Sequence, residues 1–138
     1  MGFLGGLFQK KQSGDPLAAL RERADENPND PRLAQDLASQ LKAQGDLNGA
    51  HEYARRAAQA HLTAGFATKA LAVLKGAVVW GQPSMELLQD LANVHLELKH
   101  KEDARGTLIQ LRKLHASAGN KAEIGKIDAQ LLELGPSR

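Results

Sequence analysis

Cysteine is absent from the 138 residues, which excludes disulfides and thiolate metal sites and accords with a cytoplasmic location. Aromatic residues make up only 4% of the chain, so no stacking surface for single-stranded RNA is expected. No apolar run approaches the roughly 18 residues that would mark a membrane-spanning helix. The segment MGFLGGLFQKK carries its charges after a short apolar stretch, the reverse of a signal peptide. The net charge is only +2, although the calculated pI is 9.0, too small an excess to carry a nucleic-acid reading unaided. No stretch alternates polar and apolar residues, so no strands are expected. What the chain has in quantity is Ala and Leu, a composition for helices packed closely through small side chains. Its length suits one domain with a continuous core.

The chain repeats itself. Residues 33–65, LAQDLASQLKAQGDLNGAHEYARRAAQAHLTAG, align 54 positions further on with residues 87–119, LLQDLANVHLELKHKEDARGTLIQLRKLHASAG. Leu33, Gln35, Asp36, Leu37 and Ala38 return as Leu87, Gln89, Asp90, Leu91 and Ala92. Ala50 returns as Ala104, and His61, Ala64 and Gly65 return as His115, Ala118 and Gly119. Gly81 and Gly135 keep the same offset. Matches in one register across the unit define a tandem repeat.

Local signals divide the chain into seven helices. Asp15-Pro16 and Asp30-Pro31 each supply a cap followed by Pro at the first helical position, and Asn27-Pro28 stops the first helix. Leu17, Leu20 and Ala24 form a narrow stripe on the first helix; Leu33, Ala34, Leu37, Ala38 and Leu41 form one on the second. Gly45 closes the second helix and Asp46 caps the third, which carries Ala50, Tyr53, Ala54, Ala57, Ala58, His61 and Leu62 along one side. A fourth helix is predicted over about 67–80, with Ala70, Leu71, Val73, Leu74, Ala77 and Val78 inward. Ser84 caps a fifth over about 85–98; the last two run over about 101–118 and 121–134. The domain is therefore placed at 15–138, with units of about 31–84 and 85–138. Residues 1–14 are read as a flexible leader with an apolar head of Phe3, Leu4, Leu7 and Phe8. Burying each of these side chains releases roughly 1.5–3 kcal/mol. Ordering the Gly-rich segment costs roughly 1–2 kcal/mol per residue, so the leader alone does not anchor a membrane firmly. It offers a contact to the chain's own fold, to a partner or to a second copy.

These residues resemble tetratricopeptide repeats. Leu37-Ala38, Gly45-Asp46, Ala50, Tyr53-Ala54 and Ala57 fit that family's signature, and Leu91-Ala92, Ala104, Leu108 and Leu111 fit it again, with Lys99-His100 in place of Gly-Asp. Ala70 and Ala104 stand 34 residues apart, the family's period, whereas Ala50 and Ala70 stand 20 apart. The helices over 47–64 and 101–118 are accordingly read as each serving two overlapping repeats. The resemblance covers about residues 28–135 and is similar to bacterial repeat proteins. It implies an all-α, right-handed α-solenoid of about seven antiparallel helices, a TPR-like superhelix whose concave groove holds a peptide or helix of another protein. It implies an adaptor or scaffold of a secretion, pilus, motility or polarity type of assembly. The groove-lining positions it implies are Arg32, Gln35, Ser39 and Lys42, then Arg55 and Gln59, then Gln89, Asn93, Ile109 and Lys113. Amides with Arg and Lys there suit acidic or backbone-rich contacts. Charge reversal at Arg55 and Lys42 together is expected to weaken partner binding and leave melting unchanged. The family's clamp for a C-terminal carboxylate needs Lys and Asn where this chain has Gln35 and Ser39, and only Asn93 matches.

The sequence holds no catalytic constellation. His51-Glu52 opens like a zinc-protease helix, but Arg55 stands where the second His is required. His61, His95 and His115 fall at one equivalent position and are assigned to packing, there being no Cys and no supporting carboxylate cluster among the five His. Glu102-Asp103 sit in a first helical turn, where they answer the helix dipole. Gly119-Asn120-Lys121 lacks the spacing of a phosphate loop, and no Ser lies in a nucleophile elbow. Trp80 is read as a cap over the core, and the pairs Arg55-Arg56 and Lys10-Lys11 as solvated. No enzyme, cofactor or metal is expected, and the partner is expected to be a protein. The competing readings are a peripheral membrane or nucleic-acid binding module, which steep salt dependence would reveal, and a small helical enzyme.

Overall fold

A computed structural model describes residues 15–136; the leader with Phe3, Leu4, Leu7 and Phe8 lies outside the described residues, as do residues 137–138. Among the described residues the chain is all-α. Seven helices follow one another: α1 Pro16–Glu26, α2 Pro31–Ala43, α3 Leu47–Thr63, α4 Ala67–Ala77, α5 Met85–Glu97, α6 Lys101–Ala118 and α7 Lys121–Leu134. The starts of α2, α3 and α4 recur at α5, α6 and α7 with the 54-residue offset of the sequence.

The helix starts have local causes. Asp15, Asp30, Asp46 and Ser84 each accept a backbone N–H of the following turn, from Ala18, Arg32, Gly49 and Leu87 at 2.9–3.1 Å. Pro16 and Pro31 occupy the first turn, where no donor is lost. One boundary differs from the sequence reading. α4 ends at Ala77, not at residue 80, and the Trp80 N–H turns back to the Ala77 carbonyl at 3.0 Å. Its counterpart α7 continues through Leu132, Glu133 and Leu134, the equivalents of Val78, Val79 and Trp80. Two β-branched residues and an indole hold a last turn less well than Leu-Glu-Leu.

Each helix packs on its neighbours in sequence, and α3 also meets α5 directly. Ala50, Ala70 and Ala104 have 0% of their surface exposed, which places all three in the seams between helices. The interior forms two clusters. One gathers Ala24, Leu37, Leu41, Ala54, Ala57, Leu74, Leu87 and their neighbours from α1 to α5; the other gathers Leu88, Ala92, Leu108, Leu111 and Ile127 from α5 to α7. Val73, Val78 and Leu62 are half-buried at the edge of the first cluster. Among the described residues, no helix is long and apolar enough to cross a membrane.

Candidate functional site

Because α3 packs between α2 and α4, and α4 between α3 and α5, two depressions form over different floors. The first lies between α3 and α5 over α4. Its rim carries Arg55, Gln59, Asp90, Asn93 and Glu97, and its floor is Leu74 with Ala58, Leu62 and Val94. The second lies between α2 and α4 over α3, with Gln35 and Ser39 facing Val73, Gly76 and Trp80 across Ala38 and Ala54. Volumes of about 80 and 200 Å³ hold a side chain and fall short of the roughly 300 Å³ at which small-molecule pockets begin.

The residues expected to line one groove are thus divided. Arg55, Gln59 and Asn93 share the α3–α5 depression, and Gln89, half-buried on the same helix, donates its amide to Asn93 at 3.1 Å. Gln35 and Ser39 belong to the α2–α4 depression, where Lys42 places its ammonium 5.7 Å from the Trp80 ring centre. Arg32 is exposed in the first turn of α2; Ile109 and Lys113 are exposed on α6, and none of the three lines either depression.

Electrostatics changes the expected preference of the α3–α5 face. Arg55 donates through Nε to Asp90 at 2.7 Å and approaches Glu52 at 3.6 Å, with both Arg55 and Asp90 side chains 31% exposed. Burial opposes the Arg55 charge, and the hydrogen bond and charge of Asp90, with Glu52 and Glu86, outweigh it, so its pKa is raised. The guanidinium is already answered, and Glu97 adds a negative charge to the same rim. An acidic segment therefore finds no free cation among the described residues that line this depression; what it offers is the amides of Gln59 and Asn93, with Gln89 beside them, over an apolar floor. Reversing Arg55 would set it against Asp90 and Glu52, so that substitution probes stability as much as binding. Asp90 was missed as a rim residue because its partner lies 35 positions away, although its recurrence from Asp36 was visible.

The other aromatic positions are structural in their contacts. The Trp80 carbonyl accepts from the buried His51 Nε2 at 2.9 Å, so His51 ties α3 to the turn after α4. That role had no signal in the sequence beyond the failed zinc motif. The Tyr53 hydroxyl donates to Asp25 at 2.7 Å, and the Arg56 guanidinium lies 4.5 Å from the Tyr53 ring centre while pairing with Asp25 and Glu52. Burial, then the Asp25 hydrogen bond, raises the Tyr53 pKa. Arg56 thus holds α1 to α3 and is not a free solvated charge.

His61 is half-buried, with Nε2 paired to the Gln35 amide oxygen at 3.2 Å. Burial, then the charge of Lys69, lowers its pKa. Burial also lowers that of His95, with Asp103 opposing and His100 and Lys75 reinforcing the shift. No protein-family profile matches the chain, and no curated protein matches it either.

Proposed function

We propose that this chain is a TPR-like, right-handed α-solenoid acting as a non-enzymatic adaptor or scaffold, which holds an extended segment or helix of a partner protein on the α3–α5 face. The observation that carries the reading is the recurrence of three helix starts at one offset, with Ala50, Ala70 and Ala104 all sealed in seams. Helices that each leave an apolar stripe for the next one stack into a curved array, and such arrays present elongated surfaces rather than enclosed pockets. The direct meeting of α3 and α5 supports that face as the continuous one. Amide rims over an apolar floor suit a peptide backbone with one apolar side chain seated between Leu62, Leu74 and Val94. A bacterial multiprotein assembly and a cytoplasmic location remain part of the proposal through the resemblance.

The test compares wild type with N93R, which fills the depression without touching a seam. Tagged proteins are incubated with extract of the native cell, and the retained protein is then purified and titrated. Binding reduced at least tenfold in N93R, with melting unchanged, supports the face. Equal binding by both proteins overturns it.

A further inference from the structure

The turn between α5 and α6 departs from its counterpart between α2 and α3. Under the 54-residue offset, Leu41, Gly45, Asp46 and Gly49 become His95, Lys99, His100 and Asp103. Three of these exchanges give up a stabilising feature. Leu41 is a buried apolar side chain, whereas His95 buries an imidazole at 4% exposure with Nδ1 unpartnered. An unpaired buried polar group carries its full desolvation cost. His51 also has an unpartnered Nδ1, but its Nε2 holds the Trp80 carbonyl; the His95 ring has no such hydrogen bond to another described residue. Gly45 adopts φ 86 without strain, whereas Lys99 takes φ 65, the single non-glycine at positive φ among the described residues. Asp46 caps α3, whereas His100 in the same place makes no side-chain capping bond.

In return, the exchanges bring two imidazoles and a carboxylate together. One ring nitrogen of His95, one of His100 and one carboxylate oxygen of Asp103 all lie within 4.8 Å of one another. The two rings stand 5.7 Å apart between centres at 50°, and His100 and Asp103 are exposed over the buried His95. A metal was not expected here, because the carboxylate and both His come together only through the turn.

We infer that His95, His100 and Asp103 form a binding site for a divalent transition ion of the zinc class, with water completing its coordination. Two imidazoles favour zinc, copper, nickel or cobalt over magnesium or calcium. Metal–ligand bonds of about 2.0–2.2 Å set tetrahedral donors about 3.4 Å apart, a closure that rotation of the two exposed side chains supplies. The positive end of the α6 dipole opposes a cation, and Glu102 and Asp103 in the first turn offset it. The bound ion joins the last turn of α5 to the first turn of α6, the place where the first unit uses the Asp46 cap.

Calorimetric titration of the full chain with zinc chloride tests the site, with melting followed in parallel. One zinc per chain is expected, with a rise in melting temperature that chelator reverses and magnesium does not reproduce. H100S, which restores a capping hydroxyl, and D103A should each weaken zinc at least tenfold. H95L inserts the first unit's residue and should abolish binding; if it fails to fold, the two exposed positions still decide. Absence of saturable binding overturns the site. So does undiminished binding by H100S and D103A, which would place the ion on other histidines.

Discussion

Ala50, Ala70 and Ala104 have no exposed surface, and each is the smallest side chain that still favours a helix. Added methylenes at such a point have nowhere to go without pushing two helices apart. A50L and A104L are each expected to lose about 1–3 kcal/mol by overpacking, measured by urea unfolding. Stability equal to wild type would mean that these seams have slack. The sequence made this legible, since identical Ala residues at one offset need only the periodicity to be read. It could not show that Arg55 would spend its charge on Asp90, or that Arg56 would join Asp25 and Glu52 around Tyr53. The Arg55–Asp90 and Arg56–Asp25 pairs span more than 25 residues and depend on how helices are placed, which no local pattern encodes; only Arg56–Glu52, four residues apart on one helix, is local.

At the scale of an element, the two equivalent turns form an internal experiment. Gly45 and Lys99 both hold left-handed backbone, and a Cβ added at Gly45 would meet nothing within 4 Å. G45A therefore tests conformation without a clash. Left-handed backbone costs an L-residue about 1–2 kcal/mol, of which about 0.4–1 kcal/mol is returned through a stiffer unfolded chain. G45A should be destabilised by roughly the difference, and K99G should shift the opposite way; matching signs in equilibrium unfolding would refute the strain assigned to Lys99. Helix starts were legible because caps and Pro act within one turn, as at Asp30-Pro31. The end of α4 was not, because Val78-Val79-Trp80 is apolar enough to continue the stripe yet poor at holding a last helical turn.

For the molecule as a whole, acid should weaken the fold. His61 has a folded pKa below its ordinary value, so the unfolded chain binds the proton more readily. This contribution is fully present above about pH 6.5, the unfolded value, and is lost as pH falls from there through the lowered folded value. Melting temperature should decline from pH 7 toward pH 5, and H61Q should flatten part of that decline; an unchanged slope in H61Q would sink the assignment. The division of the expected groove residues between two depressions is likewise a whole-molecule property. Gln35 and Gln59 look alike in a repeat pattern, and only the packing of α3 between α2 and α4 sends them to different faces.

The two interior clusters are built to different gauges. Ala54 and Ala57 occupy the first unit where Leu108 and Leu111 occupy the second, all of them buried. Paired rods separated by methyl groups run on a narrower track than rods separated by isobutyl groups. The units are therefore not interchangeable carriages: a chain with residues 31–66 copied over 85–120 would meet α7 with a gap along its length. Lengthening such an array means duplicating the join together with the unit.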